Sequence, residues 1–400
     1  MTTPSPVPPR SLLVGRVVTP AGVVDDGAVA VDGAHIAYAG PRASLPREWA
    51  SVGMPEGWLP DSTLLPGLVD IHCHGGGGGE FGPDMGGATT AVAHHHRAGS
   101  TSVVGSLVSA KADTMLSGVR ALAPLVARGE LAGIHLEGPF LSAARCGAQN
   151  PGALIPPDLG LLESLVAEAR QGAIAQVTWA PELPGADELP ESFARAGIVG
   201  AIGHTDATMA QVVEALEALA AHPTRGRRPL VTHLFNGMPP LHHRAPGPVG
   251  AALSALGRGE AVAEVIADGV HLAGGTVQML FDIAAPGSIA LVSDSMAAAG
   301  LPEGDYSLGG LSVRVAGRAA RLVEGGSLAG GVSTLLEQVR WCVSELGVSL
   351  SDAVAAASVT PARALALAGV GSLEAGARAD VVVVDEGLRL RRVMRRGSWL

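Results

Sequence analysis

The sequence predicts an α/β fold, a (β/α)8 barrel of the TIM type that carries a small β-sandwich domain built from the N- and C-terminal segments. Eight apolar runs rich in β-branched residues recur between residues 67 and 296, and helix-like stretches lie between most of them. Both ends of the chain instead alternate short strand-like runs with Gly and Asp turns. A doubly wound open sheet is the alternative, but no Gly-x-Gly-x-x-Gly motif follows the first run.

The barrel elements can be placed in chain order. We expect the eight strands within residues 67–74, 100–109, 131–140, 173–182, 197–205, 228–236, 261–271 and 288–296. Helix-like stretches at 207–221 and 274–285 separate later strands, and a last helix is expected at 332–346. The order of alternating strands and helices favours a parallel barrel.

The chain ends predict a second, discontinuous domain. Residues 11–62 and 371–400 are each too short to form a stable sheet alone, so we expect them to pair into one small β-domain. Residues 63–370 then form the barrel domain. The Pro-rich residues 1–10 are expected to be disordered.

Composition narrows the class of protein. Of the 400 residues 47% are hydrophobic and 16% charged, which is typical of a globular chain with a large core. The net charge of −10 argues against binding of nucleic acid or anionic membranes, although a local basic patch can still bind a phosphorylated small molecule. The chain has only three cysteines, and its sequence shows neither the apolar segment of a signal peptide nor a membrane-spanning run. These features predict a cytoplasmic protein.

Imidazoles and carboxylates occur at the C-terminal ends of the predicted strands, which surround one mouth in a (β/α)8 barrel. They are His72, His74, Glu137, His204, His233, His271 and Asp294. His72 and His74 are one residue apart, so a strand directs both to the same face. So many of these groups would repel one another and be poorly solvated without a cation, and their ligand types suit zinc or iron. His135 is expected to be structural, and His94–His96 are expected to form a polar helix face.

This set resembles the signature of the amidohydrolase superfamily, with His-x-His on strand one, His on strands five and six, and Asp on strand eight. Finer motifs resemble the N-acetylglucosamine-6-phosphate deacetylase family. They are LPGLVDIHCHG, HLEGPFLSAARCGAQNP, GHTDA, THLFNGMPPLHHRAPG, ADGVH, LVSDSM and GSLAGG, in that family's order and across nearly the whole chain.

The resemblance implies metal-dependent hydrolysis of the acetamide of N-acetyl-D-glucosamine 6-phosphate. Glu137, His204 and His233 would hold one divalent ion, and His72 and His74 could hold a second with Glu137 bridging. Asp294 would act as acid and base and could also touch the ion at the first strand. Zinc is expected, with iron, manganese and cobalt left open, and either one or two ions per subunit.

The resemblance also implies substrate contacts. Asn236 and Gly237 would contact the phosphate, together with Arg244 reaching across from a second subunit of a homodimer. His271 matches a residue that contacts the sugar, and Leu328, Ala329 and Gly330 match a loop that lines the substrate. Gln149 stands where the family often has His, and Gln cannot become cationic.

Lys111 is the only lysine and lies just past the second strand, so no lysine is available late in the barrel to bridge two metals as a carbamate. This disfavours amidohydrolases that open cyclic amides. The alternatives left open are a deacetylase of N-acetylgalactosamine 6-phosphate, another N-acyl amidohydrolase such as one acting on an N-acyl amino acid, and a barrel scaffold without catalysis.

Overall fold

The computed structural model of the chain describes residues 10–170, 172–224 and 227–400. The disorder expected for residues 1–10 therefore concerns residues that, apart from Arg10, lie outside the described part. No helix in this part is long and apolar enough to cross a membrane.

The predicted barrel is confirmed. Seven parallel pairings join eight strands in chain order. The strands are Leu68–Cys73, Ser100–Val108, Gly133–Glu137, Ile174–Trp179, Val199–Ile202, Leu230–Val231, Val262–Val265 and Ile289–Leu291. The first and last strands meet at the mouth, where the Asp294 N–H donates to the carbonyl of His72 at 2.9 Å. Each strand lies within the range predicted for it.

Helices surround the barrel because their apolar sides pack onto the strands. They are Met85–Arg97, Ala112–Ala127, Leu159–Ala169, Leu189–Ala196, Met209–Ala221, Gly247–Arg258, Gly274–Ile283, Leu335–Ser344, Leu350–Ala356 and Val359–Ala364. Leu122 and Leu165, for example, are fully or almost fully buried in one cluster with Ile134 and Val177 of the strands. This packing fixes the strand ends that carry the polar residues of the mouth.

The small β-domain contains strands from both chain ends, as expected. Its seven strands form one hydrogen-bonded sheet, with separate apolar clusters around Leu13 and around Trp49. The strands are Ser11–Thr19, Gly22–Asp32, His35–Pro41, Thr63–Pro66, Val381–Val384, Leu390–Arg395 and Ser398–Trp399. Thr63–Pro66 pairs with the strands on either side of it, so the sheet includes four residues that the sequence analysis placed in the barrel.

A three-stranded antiparallel sheet was not predicted. It consists of Gly304–Leu308, Leu311–Ala316 and Ala319–Leu322, inserted between the eighth barrel strand and the helix that follows. Its apolar residues, among them Val313 and Leu308, pack with Met296 and Ala329 beside the mouth. Two very short strands, Gly75–Gly76 and Gly79–Glu80, pair within the glycine-rich loop after the first barrel strand.

Candidate metal centre and substrate cavity

The mouth of the barrel brings together all six predicted metal ligands. They form two groups that share Glu137, one with His72 and His74 and one with His204 and His233. Asp294 joins the first group, with its Oδ1 3.3 Å from His74 Nε2 and 3.5 Å from His72 Nε2. All six side chains are buried.

Glu137 links the two groups because its oxygens face opposite ways. Oε1 lies 3.0 Å from Nε2 of His204 and 3.0 Å from Nε2 of His233. Oε2 lies 3.1 Å from Nε2 of His74 and accepts a 2.6 Å hydrogen bond from Nε2 of Gln149. The carboxylate therefore occupies the position of a bridging ligand.

The donor set fits a divalent ion. The Nε2 atoms of His72 and His74 lie 3.2 Å apart, and those of His204 and His233 lie 3.1 Å apart, although a neutral imidazole has only one N–H to give. Two pairs of imidazole nitrogens and a shared carboxylate within these distances match the ligand types of zinc and related metals. The chain can therefore hold an ion in each group.

The electrostatics of the ligand residues point the same way. Burial lowers the pKa of His74, but the carboxylates of Asp294 and Glu137 outweigh burial and raise this pKa to about 9. Burial likewise lowers the pKa of His72, and Glu264, Asp294 and Glu137 reverse that effect and hold the pKa well above the usual range. Excess negative charge thus keeps a positive charge in this group, which a bound cation would supply instead of protons.

Asp294 is ionised at neutral pH. Burial raises the pKa of its carboxyl group, but the imidazoles of His72 and His74 outweigh burial and lower the pKa to about 2. The side chain is 11% exposed and borders the cavity, so it reaches the space where a substrate would lie. An ionised carboxylate at this position can accept a proton from water.

Three of the ligand residues have strained backbones. The φ angles of His204, His233 and Asp294 are +47°, +27° and +45°, in the left-handed region that residues other than glycine avoid. Such conformations cost on the order of 1–3 kcal/mol each and cluster at functional sites. The strain lies at the strand ends, where it turns these side chains toward one mouth.

Glu264 is a site residue that the sequence analysis missed. It lies on the seventh barrel strand and is fully buried. Its Oε2 contacts Nδ1 of His72 at 2.8 Å and its Oε1 accepts from Gln176 Nε2 at 2.9 Å, so Glu264 orients the outer nitrogen of His72. The only sequence signal was an acidic residue inside the apolar run AVAEVIA.

A cavity of about 300 Å³ adjoins the ligands. Six of the predicted substrate contacts line it, namely Gln149, Asn236, Gly237, His271, Leu328 and Gly330. Ala329 is fully buried and does not line the cavity, because its backbone N–H pairs with Ala320 of the inserted sheet. Leu308 of the same sheet lines the cavity, although the sequence analysis did not predict this contact.

Two of the lining residues have clear structural reasons for their identity. Gly237 has φ +62°, and a Cβ atom there would lie 2.9 Å from Nδ1 of His204. His271 Nδ1 pairs with Asp268 Oδ2 at 2.8 Å, and Asp268 also accepts from the backbone N–H groups of Val270 and His271. Asp268 therefore fixes the His271 ring at the cavity wall.

Arg244 does not line the cavity of its own chain. It is exposed on the loop after Asn236, where its Nη1 lies 2.8 Å from Nε2 of His243. Its contribution to the site of a second subunit stays a prediction.

Four histidines outside the ligand set had predicted structural roles. His135 is fully buried and contacts Ser106 Oγ at 2.9 Å and Thr178 Oγ1 at 2.8 Å, as its structural assignment implied. The expectation of a polar helix face for the His94–His96 triplet is wrong. His95 and His96 are 1% and 8% exposed, because this side of the helix packs against the glycine-rich loop and the barrel.

Comparisons with known proteins agree with this geometry. Residues 63–400 match the family model described as the amidohydrolase family. The chain is 34% identical over 344 residues to an N-acetylglucosamine-6-phosphate deacetylase of Lysinibacillus sphaericus, which covers 84% of each chain. It is also 34% identical over 345 residues to an N-acetylgalactosamine-6-phosphate deacetylase of Escherichia coli O157:H7, covering 84% of this chain and 88% of the relative.

A solved structure is similar over almost the whole length. It is an aspartate-to-alanine mutant of N-acetyl-D-glucosamine-6-phosphate deacetylase from Mycobacterium smegmatis, in complex with N-acetyl-D-glucosamine-6-phosphate. The TM-score is 0.89 at 36% identity, with 98% of this chain and 99% of that chain covered. Together with the ligand geometry, these matches show that the chain belongs to the amidohydrolase family, in the branch that contains the amino-sugar-phosphate deacetylases.

Proposed function

We propose that the chain hydrolyses the acetamide of N-acetyl-D-glucosamine 6-phosphate to glucosamine 6-phosphate and acetate. The observation that carries this proposal is the convergence of five ligands and Asp294 beside a cavity whose size suits a small sugar phosphate. The relatives named above support the substrate class.

Glu137, His204 and His233 would hold one divalent ion, and His72 and His74, with Glu137 bridging, a second. We propose zinc as the physiological ion, because mixed His and carboxylate ligands suit it, although iron, manganese and cobalt accept the same set. When bound, such an ion supplies Lewis acidity to the amide carbonyl and lowers the pKa of water to about 7 in favourable sites.

Asp294 would move the proton. Its ionised carboxylate accepts a proton from the attacking water and returns it to the amide nitrogen, which makes the amine a better leaving group. Gln149 donates to Glu137 and so holds the bridging carboxylate in one orientation. His271, fixed by Asp268, presents its free nitrogen for a sugar hydroxyl or the acetyl group.

Phosphate recognition would come from two chains. Asn236 and Gly237 line the cavity and would contact the phosphate, and Arg244 would come from the partner in a homodimer. A guanidinium group suits a phosphate because it donates two parallel hydrogen bonds. We further propose a cytoplasmic location, since the three cysteines are all free.

A second candidate substrate is N-acetylgalactosamine 6-phosphate, because a deacetylase of that sugar is as similar to this chain as one of the glucosamine enzymes. Gln149, where the family often has His, lies beside the sugar cavity and could alter epimer preference.

Acetate release from both sugar phosphates and from unphosphorylated N-acetylglucosamine tests the proposal. We expect the highest kcat/KM for N-acetylglucosamine 6-phosphate and a large drop without the phosphate. A higher kcat/KM for the galactosamine compound would select the second candidate, and equal values with and without phosphate would refute a sugar-phosphate deacetylase.

A further inference from the structure

A second cavity, of about 190 Å³, lies between the barrel and the terminal sheet. Ser102, at the start of the second barrel strand, and Ala132, just before the third, line it. It therefore opens at the N-terminal ends of the strands, opposite the catalytic mouth. Three arginines from the C-terminal segment, Arg378, Arg395 and Arg396, also line it, and we call them the arginine cluster.

Two backbone carbonyls hold the arginine cluster together. The carbonyl of Thr101 accepts from Arg378 Nη2 at 3.0 Å and from Arg395 Nε at 2.9 Å. The carbonyl of Gly129 accepts from Arg395 Nη2 at 2.5 Å and from Arg396 Nη2 at 2.8 Å. Because each carbonyl is shared, the three guanidinium groups are neighbours around one space.

The cluster has unused donors. In the described part of the chain, the Nη1 groups of all three arginines have no hydrogen-bond partner, and neither does Nε of Arg396. Arg396 is exposed and the other two are half-buried, so these donors are open to a ligand from solvent. A guanidinium group stays protonated at physiological pH, so these N–H donors and their positive charge persist.

Positive charge in the cluster exceeds negative charge. Asp380 pairs with Arg378 and is the carboxylate built into the cluster. Glu130 acts on Arg395 through space, but its own carboxylate contacts Arg128 at 2.6 Å. Burial, with Arg378 and Arg396 as further causes, lowers the pKa of Arg395 to about 10. Three guanidinium groups against one carboxylate leave about two positive charges in a protein of net charge −10.

The histidine beside the cluster adds no positive charge. Burial, together with Arg395 and Arg378, lowers the pKa of His96 to about 3, so its imidazole is neutral at physiological pH. The remaining wall includes the apolar residues Leu131, Leu367 and Val370. Low polarity on one side strengthens the attraction between the guanidinium groups and a bound anion.

We propose that this cavity binds a small phosphate dianion, either free phosphate or the phosphate of a small monoester. Two unbalanced positive charges match a dianion, and guanidinium forks suit phosphate oxygens. The ligand would contact the C-terminal segment and both barrel strand starts, so it would join the terminal sheet to the barrel. The site is separate from the catalytic mouth and does not depend on the proposed reaction.

The test compares three forms of the metal-loaded protein by calorimetric titration with inorganic phosphate, at an ionic strength kept constant with sodium chloride. The forms are wild type, Arg396→Gln and Arg47→Gln, the last removing one exposed positive charge from the N-terminal segment. Phosphate binding at the catalytic mouth is common to all three forms. A difference in phosphate affinity between the two variants therefore measures binding in the cavity of the arginine cluster.

We expect Arg396→Gln to weaken binding of one phosphate at least about tenfold, as for loss of a hydrogen bond to a charged group, and Arg47→Gln to leave it unchanged. Arg396→Lys should fall between, because it keeps the charge and loses the fork. Unchanged acetate release would verify that Arg396→Gln is folded.

A repeat with glycerol 3-phosphate distinguishes the two sources of the phosphate group. Tighter binding of the monoester identifies a monoester site, and tighter binding of phosphate identifies a site for the free ion. Identical phosphate affinities in Arg396→Gln and Arg47→Gln, or a single phosphate site in wild type that survives in Arg396→Gln, would overturn the proposal.

Discussion

Glu137 is the residue on which both ligand groups depend. One carboxylate oxygen faces His204 and His233, and the other faces His74 and Gln149. The bridging role of Glu137 is what the family resemblance implies, and no lysine late in the barrel is available to take that role. The hydrogen bond from Gln149 could not be predicted, because it depends on the path of the loop after Glu137.

At the same scale, Asp294→Asn should separate proton transfer from metal binding. The amide keeps the shape of the side chain but cannot carry the proton. We expect turnover to fall by a factor on the order of 10² to 10⁴, the usual contribution of a positioned acid or base, while most of the metal stays bound. Steady-state kinetics with metal analysis of the same sample measures both. A variant that retains most of its turnover would show that another group moves the proton.

Glu264→Gln should weaken metal binding although Glu264 is not itself one of the proposed metal ligands. A neutral amide makes the partnered His72 a poorer ligand, and loss of such outer partners typically costs about 10–100-fold in metal affinity. Competition with a chelator measures the affinity. Glu163→Gln, an exposed change on the helix Leu159–Ala169, is the matched control and should have no effect. Equal affinities in the two variants would remove Glu264 from the centre.

At the scale of elements, all eight barrel strands followed from the spacing of apolar runs, and the polar residues at their ends followed from barrel geometry. The inserted sheet did not. Its strands are short and mostly exposed, as in Leu311–Ala316, and glycines such as Gly309, Gly310 and Gly317 separate them, so the pattern did not distinguish the sheet from a loop. It nevertheless supplies Leu308 to the cavity.

Two helices next to the mouth begin with capping boxes, which predicts a measurable stability effect. Thr208 caps Met209–Ala221 and Thr334 caps Leu335–Ser344, and in each case the side chain of the third helical residue accepts a hydrogen bond from the backbone N–H of the threonine. Thr208→Ala and Thr334→Ala should each lower the free energy of unfolding by about 1 kcal/mol, measured by denaturant titration. Thr89→Ala, at an exposed position inside a helix, should change it by less than about 0.5 kcal/mol. Similar losses in all three would argue against the caps.

At the scale of the whole molecule, the proposed dimer makes Arg244 a test of assembly. Arg244→Ala should raise KM for the phosphorylated sugar by roughly one and a half to three and a half decades, since losing one partner of a charged contact costs about 2–5 kcal/mol. The unphosphorylated sugar should be little affected.

Mixing then shows which chain supplies the arginine. Inactive Asp294→Asn chains combined with Arg244→Ala chains should regain activity, because one site of the hybrid dimer has both residues intact. Kinetic measurements before and after mixing detect this. Equal losses for both sugars would assign Arg244 a structural role, and no recovery on mixing would place it in its own subunit's site.

The ligands at the mouth could be predicted from the sequence, whereas the residues that orient them could not. Strand order and the His-x-His spacing were sufficient to predict that four histidines lie at one mouth, namely His72, His74, His204 and His233. Glu264 and Asp268 were not found, because a buried carboxylate that orients a histidine has no fixed sequence distance from it. The burial of His95 was missed because it depends on packing against the glycine-rich loop, and that of His96 because it depends on packing near Arg378 and Arg395 of the C-terminal segment.

Removal and return of the metal tests the central claim most directly. The protein is stripped with a chelator, dialysed, and titrated with zinc while bound metal and acetate release from N-acetylglucosamine 6-phosphate are measured together. We expect no turnover in the stripped protein and recovery in proportion to bound zinc, complete at one or two ions per chain. Undiminished acetate release from the stripped protein, or full zinc occupancy without any acetate release, would contradict a metal-dependent deacetylase.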